Sequence, residues 1–375
     1  MITANQVHHQ TLYRDAFSYC AHPCIIALAD GTWLVVFNKT MRRDYLLHPP
    51  QDPHYYNVII RSKDGGATWT APQVAPNYDW YGVECAGFTA LKDGSVLLNQ
   101  WRFRWFPIDL ARKISEEDSL VFPEDWVAEM HQSKELHIGK ELPPDLIDQI
   151  SWARGNGGTY VHRSDDGGVT WSETVEVDTK PFSGGYGMRG GVELADGEIL
   201  LPLSDVPHYQ KIFLVRSKDS GRTWSTPELV AEQEGCWFEE PSLLLLPDGG
   251  LLMMLRENES HYLHQISSDD GGHSWSKPKR LPIWGYPAHL LDLRDGRLLC
   301  VFGYRAKPYG IRAVISYDLA KSWDIENTLI LRDDLPNRDL GYPCSILVDK
   351  GEVFTVYYGQ DNWGVTGIFG ARFSV

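Results

Sequence analysis

The chain reads as an all-β protein, a six-bladed β-propeller spanning residues 1–375 as one domain, with a helical insertion in the second blade. Three observations carry that reading. An eight-residue motif, S-x-D-x-G-x-[ST]-W, recurs at Ser62–Trp69, Ser164–Trp171, Ser217–Trp224 and Ser268–Trp275, with a worn copy at Ser316–Trp323 where Ala320 replaces the glycine. Glycine turns flanked by apolar runs fall at Gly31, Gly94, Gly197, Gly249, Gly296 and Gly351, roughly every fifty residues. The exception, Gly94 to Gly197, holds about fifty residues too many for one unit.

Each motif position has a physical task. The aspartate can bond the backbone of a tight turn, the glycine supplies positive φ, the Ser or Thr adds a local bond, and the tryptophan fills the gap between neighbouring sheets. Within a unit the order is strand, glycine turn, strand, loop, strand, Asp motif, strand, as in Gly191–Leu194, Ile199–Pro202, Ile212–Val215 and Pro227–Val230. The last unit offers strands at Val353–Tyr358 and Ile368–Phe373, so its outer strand is expected from the N-terminal segment Gln10–Arg14, which closes the ring without an open sheet edge. From about Arg102 to Gly157 the pattern changes: Glu124–Glu135 and Pro144–Trp152 have helical spacing and acidic starts, which places an insertion between the second and third strands of unit two.

Antiparallel strands put the glycine turns and Asp motifs on one rim, and the second-to-third-strand loops and inter-unit links on the other. The second rim is the expected working face, because the insertion emerges there and most isolated Arg, Tyr, Glu and His residues lie there. The Asp-motif carboxylates face the opposite rim and are expected to be structural.

Composition narrows the function. Fifty Asp and Glu against 35 Lys and Arg give a net charge of −15, which argues against nucleic acid or an anionic membrane as partner. No basic-then-apolar segment opens the chain and no run is long enough to cross a bilayer, so a cytoplasmic location is expected. The six cysteines lack metal-ligand spacing, so free thiols, no metal and no cofactor are expected; homo-oligomerisation is left open.

The order of polar residues on the working rim is informative. Arg42-Arg43-Asp44 leave the first hairpin, with Asp52 a rival acid. Glu239-Glu240 enter unit four and Arg256 leaves its hairpin. Arg305 or Arg312 follows in unit five, and Tyr342 sits in Gly341-Tyr342-Pro343. With the Asp motifs, this order resembles the sialidase (neuraminidase) superfamily of Asp-box, BNR-repeat propellers over nearly the whole chain. The resemblance implies an exo-acting glycoside hydrolase on a terminal acidic sugar. Arginines would clamp the substrate carboxylate, Asp44 would handle the proton of the glycosidic oxygen, and Tyr342, deprotonated by Glu239 or Glu240, would attack the anomeric carbon. A tyrosine nucleophile suits an anionic sugar that would repel a carboxylate.

One departure matters. Family members carry Arg-Ile-Pro at the start of unit one, whereas this chain has Ala21-His22-Pro23, so the first clamp arginine is missing and its place falls to His22, to Arg189 or to nothing. Tyr286 and His289, in the related stretch Gly285–His289, join the substrate-binding candidates. Arg256 and Arg312 also fit ordinary inter-blade ion pairs, and the two Gly-Tyr-Pro stretches fit a repeated strand start. The alternatives are a glycosidase of the same superfamily for a non-sialic sugar, or a non-catalytic propeller that binds carbohydrate or protein.

Overall fold

A computed structural model describes residues 7–45, 47–76, 81–114, 120–132, 142–206 and 208–375. Its strands form six antiparallel sheets in sequence order around an axis. The inner strands of blades one to six begin at Ser18, Tyr81, Gly185, Phe238, Ala288 and Gly341. His8–Arg14 pairs with Thr366–Ser374 and becomes the outer strand of blade six, so the two ends of the described chain share one sheet. In blade three the inner strand is split into Gly185–Tyr186 and Val192–Glu193, both paired with Ile199–Asp205, because the chain leaves the sheet around Arg189-Gly190. There a Cβ on Gly190 would overlap the Phe88 carbonyl of blade two, so only glycine permits the approach.

The Asp motifs turn between third and outer strands. In the second copy Asp166 accepts the Ser164 hydroxyl at 2.8 Å, the Thr170 N–H at 2.8 Å and the Thr170 hydroxyl at 2.6 Å, while Gly168 N–H donates to Ser164 Oγ at 2.7 Å. The worn copy keeps the geometry, with Ala320 N–H donating to Ser316 Oγ at 2.8 Å and Ala320 itself at positive φ.

Each motif is also gripped by the blade before it. Arg61 of blade one donates to the Gly167 and Gly168 carbonyls of blade two, Arg163 to Ser220 O of blade three at 2.9 Å, and Arg216 to Gly271 O and Gly272 O of blade four at 3.0 and 2.7 Å. Gln265 of blade four donates to Ala320 O of blade five at 2.9 Å, and Arg372 of blade six reaches Gly65 O of blade one. A motif carbonyl raised by the tight turn is thus satisfied across the seam, which ties each sheet to the next at the Asp-motif rim.

The insertion is shorter than residues 102–157. Strands Val96–Pro107 and Trp152–Ser164 extend past the rim, and only the segment between them leaves the sheet, with helices Ile108–Ala111, Pro123–Gln132 and Leu146–Gln149. Residues 133–135 of the expected first helix lie outside the described residues. Val127, Met130, Leu142, Leu146 and Ile150 make a small core with Leu47 from the loop after the second strand of blade one. Trp152 Nε1 donates to Gln51 O at 2.9 Å and Arg154 to Pro50 O at 2.8 Å. The insertion therefore stands on the rim opposite the Asp motifs and pins the blade-one loop.

Candidate active site

Backbone bulges at the start of the inner strands carry the central side chains. Pairing slips between Ala21 and Cys24 in blade one, Glu239 and Ser242 in blade four, and Gly341 and Cys344 in blade six. At each slip the residue before a proline takes positive φ: His22 at 56°, Glu240 at 51° and Tyr342 at 52°. A bulge with a left-handed residue re-aims one side chain out of the alternation of its strand. Positive φ in a bulky residue is uncommon, and three instances in one place indicate a geometry that the surroundings enforce.

These side chains meet across the axis. The Tyr342 hydroxyl donates to Glu240 Oε1 at 2.5 Å, and the Tyr186 hydroxyl lies 3.4 Å from the same oxygen. Arg256 Nη1 donates to Glu240 Oε2 at 2.7 Å and lies 3.1 Å from Glu239 Oε1. The His22 ring packs edge-on against Tyr342 with centroids 4.3 Å apart. Tyr286, buried, lies between two cations: Arg256 is 4.5 Å and Arg305 4.9 Å from its ring centroid. Arg305 also lies 5.6 Å from the Tyr342 centroid and donates from Nε to Leu340 O at 3.1 Å; among the described residues its two terminal nitrogens make no other hydrogen bond.

The adjacent glutamates separate electrostatically. Burial opposes ionisation of Glu240, but the Arg256 charge and the hydrogen bonds from Tyr342 and Arg256 outweigh it and hold its carboxyl below the usual range. Glu239 is raised to about 7 by burial and by the Glu240 charge, against the pull of Arg256. Burial, reinforced by Glu240, lifts the Tyr342 phenol well above its ordinary value despite Arg256 and Arg305. The resting dyad is a phenol donating to a carboxylate, so Glu240 is placed to take the phenolic proton as a bond forms at the oxygen.

Neither substitute for the missing arginine gives a substrate a free cationic fork. Arg189 is consumed by structure: its guanidinium donates to Pro343 O at 2.6 Å and to Pro23 O at 3.2 Å, bridging blades six and one. His22 is held neutral, its pKa lowered to about 4 chiefly by burial. Its Nδ1 pairs with Asn38 Oδ1 at 2.9 Å, the head of a buried chain in which Asn38 donates to Asn57 and Asn57 to Gln100. The central cations are Arg256 and Arg305.

The remaining sequence candidates lie off the axis cluster, with Asp44 in a side cavity that adjoins it, since Asp339 of the cavity wall binds Tyr358, whose ring lies 5.8 Å from that of Tyr342. Arg312 is on the third strand of blade five with its guanidinium 4.2 Å from the Tyr304 centroid, so of the pair Arg305 and Arg312 only Arg305 reaches the axis cluster. His289 accepts the Ser345 N–H at 3.3 Å and packs in the wall between blades five and six. Arg42, Arg43 and Asp44 line a side cavity of about 230 Å³ between blades one and six, with Asp52, Asp339 and Trp363. Asp52 is buried and held by Arg43 at 3.2 Å and by His54, whereas Asp44 is exposed.

Sequence reasoning missed Glu84, His48 and Asp339. Glu84 lies at the blade-two slip, its Oε2 buried without a hydrogen bond, and burial with the charges of Glu240 and Glu239 raises it to about 8. Its position at the start of an inner strand was a usable signal, but it lacks the following proline of the other three. His48, lowered to about 4 by burial and by Arg305 and Arg256, sits in an irregular loop that no periodicity marks. Asp339 accepts the Tyr19 and Tyr358 hydroxyls at 3.0 and 2.9 Å, three residues before Tyr342.

With this geometry in hand, residues 148–355 match the BNR repeat-like domain. The chain is a BNR-repeat propeller of the sialidase superfamily. A sialidase of Bacteroides fragilis is 21% identical over 357 residues, covering 89% of this chain and 59% of that protein; the propeller thus spans less than two thirds of that relative. An anhydrosialidase of Macrobdella decora is 27% identical over 231 residues, covering 53% of this chain and 29% of its own. Among solved structures, a Dyadobacter fermentans protein of unknown function superposes with a TM-score of 0.81 at 25% identity over 99% of both chains. The Ruminococcus gnavus intramolecular trans-sialidase, in complex with oseltamivir carboxylate, superposes at 0.67 and 18% identity over 97% of both. At that identity the likeness to the trans-sialidase is one of fold. The superfamily propeller seen here therefore owes its site assignment to its own residues.

Proposed function

We propose that this protein is an exo-acting glycoside hydrolase that removes a terminal acidic sugar through a covalent intermediate on Tyr342. The observation that carries the reading is the 2.5 Å hydrogen bond from Tyr342 to a Glu240 carboxylate kept ionised by Arg256. In the first step Glu240 takes the phenolic proton while the tyrosyl oxygen bonds the anomeric carbon. The glycosidic bond breaks and its oxygen takes a proton from Asp44, the exposed carboxyl beside the side cavity. Water then reverses the sequence: it gives a proton to Asp44, its oxygen bonds the sugar, and Tyr342 leaves with the proton held by Glu240. Arg256 and Arg305 hold the substrate carboxylate, with Tyr286 spacing their guanidinium planes.

The two-arginine clamp favours one alternative, a glycosidase of the same superfamily for a non-sialic sugar, because neither Arg189 nor His22 stands in for the third cation of the family pattern. Part of the proposal is a cytoplasmic enzyme that works without a cofactor. The test is hydrolysis of a panel of aryl glycosides comprising sialosides, uronides and neutral sugars by the purified protein. Turnover of an acidic member that disappears in Tyr342→Phe supports the scheme, and no turnover of any member leaves a binding propeller.

A further inference from the structure

Cys24 and Cys344 are buried thiols that the proposed chemistry does not use. Each stands two residues beyond an axis side chain, after the proline of the bulge: His22-Pro23-Cys24 in blade one and Tyr342-Pro343-Cys344 in blade six. Their sulfurs are 3.8 Å apart across the seam between the two blades, and Cys344 Sγ also lies 3.6 Å from Ile25 O. The carbonyls just before both cysteines are those that Arg189 binds, so one guanidinium fixes both backbones. His289 flanks Cys344 from blade five, held by the adjacent Ser345 N–H at 3.3 Å. Simple packing would be served by any small apolar pair. Opposed sulfurs, a neighbouring imidazole and a guanidinium together make a different arrangement, one that favours a thiolate.

We propose that Cys24 and Cys344 form a redox modification site, a dithiol that a hydroperoxide converts into an intramolecular disulfide joining the inner strands of blades one and six. The Cys344 thiolate attacks the peroxide oxygen, which breaks the O–O bond, leaves a sulfenic acid on Cys344 and releases the other oxygen as water or an alcohol once protonated. The Cys24 thiol then attacks the sulfenic sulfur; the S–S bond forms and water leaves. Two thiols are oxidised by two electrons and one peroxide is reduced. Burial opposes ionisation of Cys344, but the Cys24 thiol, His289 and Arg189 outweigh it and favour the thiolate, while Cys24 is pushed up and stays protonated as the resolving thiol. Side-chain rotation has to bring the sulfurs to about 2 Å, which the present approach leaves within reach. Among the described residues no other two cysteines make such a contact.

The experiment treats the folded wild-type protein with hydrogen peroxide, alkylates it under denaturing conditions and maps its peptides. The expected result is a Cys24–Cys344 cross-linked peptide two hydrogens lighter than its parts, reversed by dithiothreitol, with Cys20, Cys85, Cys236 and Cys300 still alkylated. Because the link spans 320 residues, the oxidised protein should melt several degrees higher. Cys24→Ser should replace the cross-link by a sulfenic acid on Cys344 that dimedone traps. Alkylation of both cysteines after treatment, or oxidation of another thiol first, overturns the proposal. Should Cys24→Ser fail to fold, the wild-type peptide map alone decides.

Discussion

Tyr342 and Glu240, 102 positions apart, approach from blades six and four until the phenol and carboxylate oxygens are 2.5 Å apart. Both occupy left-handed bulge positions before a proline, so neither backbone can relax without breaking the start of an inner strand. The contact therefore rests on the placement of both residues by their own strands. Tyr342→Phe should lower the melting temperature by only a few degrees, for the hydrogen bond taken from the Glu240 carboxylate, and lower kcat roughly 10³-fold or more. Glu240→Gln should do likewise, with some loss of stability because Arg256 would lose its closest carboxylate. Full activity of Tyr342→Phe on a glycoside that the wild type cleaves would remove the covalent scheme.

Arg305 tests the substrate class. Its Nε is committed to Leu340 O, its plane lies near Tyr286 and Tyr342, and its terminal nitrogens are open. Arg305→Lys keeps the charge and loses the planar fork. KM for an acidic glycoside should rise about tenfold with little change in kcat, the loss of one charge-assisted bond. An equal effect on a neutral aryl glycoside would count against a carboxylate clamp at this residue.

How far the sequence could be read follows from what each feature depends on. The blades, the motif turns and the N-terminal closing strand rest on local periodicity and turn chemistry, so Ser164–Trp171 or Asp196-Gly197 declared them directly. That Tyr342, Arg256 and one of Glu239 and Glu240 converge was legible, because all sit at the ends of strands that the repeat locates; which glutamate meets the tyrosine was not. What was hidden is pairwise and non-local. Nothing in Gly187-Met188-Arg189 says that the guanidinium ends on carbonyls of two other blades, and only the distance to the Tyr342 ring separates Arg305 from Arg312. Asp52 and Asp44 differ in burial, which eight residues of loop sequence do not encode.

The seams between blades should carry stability and no activity. Arg216 is buried, donates to Gly271 and Gly272 of the next blade, and pairs with buried Glu198 at 2.9 Å. Arg216→Ala leaves that carboxylate with only the exposed Lys218 at 3.5 Å and strands two carbonyls, so a loss of about 3 kcal/mol is expected in chemical denaturation. Asp166→Ala removes an exposed carboxylate that organises one turn and should cost only about 1–2 kcal/mol. Both variants should keep wild-type kcat. A fall in kcat for either, at full folding, would mean that the Asp-motif rim communicates with the axis.

Stability against pH follows from buried groups of two kinds. His22 and His48 are lowered from 6.5 to about 4, and His162 to about 3, each mainly by burial, so the folded protein keeps them neutral where the unfolded chain binds protons. Their penalty is absent above 6.5 and grows as pH falls toward 4. Glu84 and Glu239 are raised from 4.5 to about 8 and 7, again chiefly by burial, so the folded protein keeps protons that the unfolded chain has lost. Their contribution declines as pH rises from 4.5 through 7 to 8. Below 6.5 the lowered histidines, His9 and His264 included, outnumber the raised Glu84, Glu239 and Asp339, and stability climbs with pH; above 6.5 the two glutamates lower it against the one opposing Cys344 thiolate. The melting temperature should therefore peak near pH 6.5, and Glu84→Gln, which mimics the protonated acid, should flatten the alkaline side. A wild-type melting temperature that keeps rising from pH 6.5 to 8 would show that Glu84 and Glu239 are ionised in the folded protein.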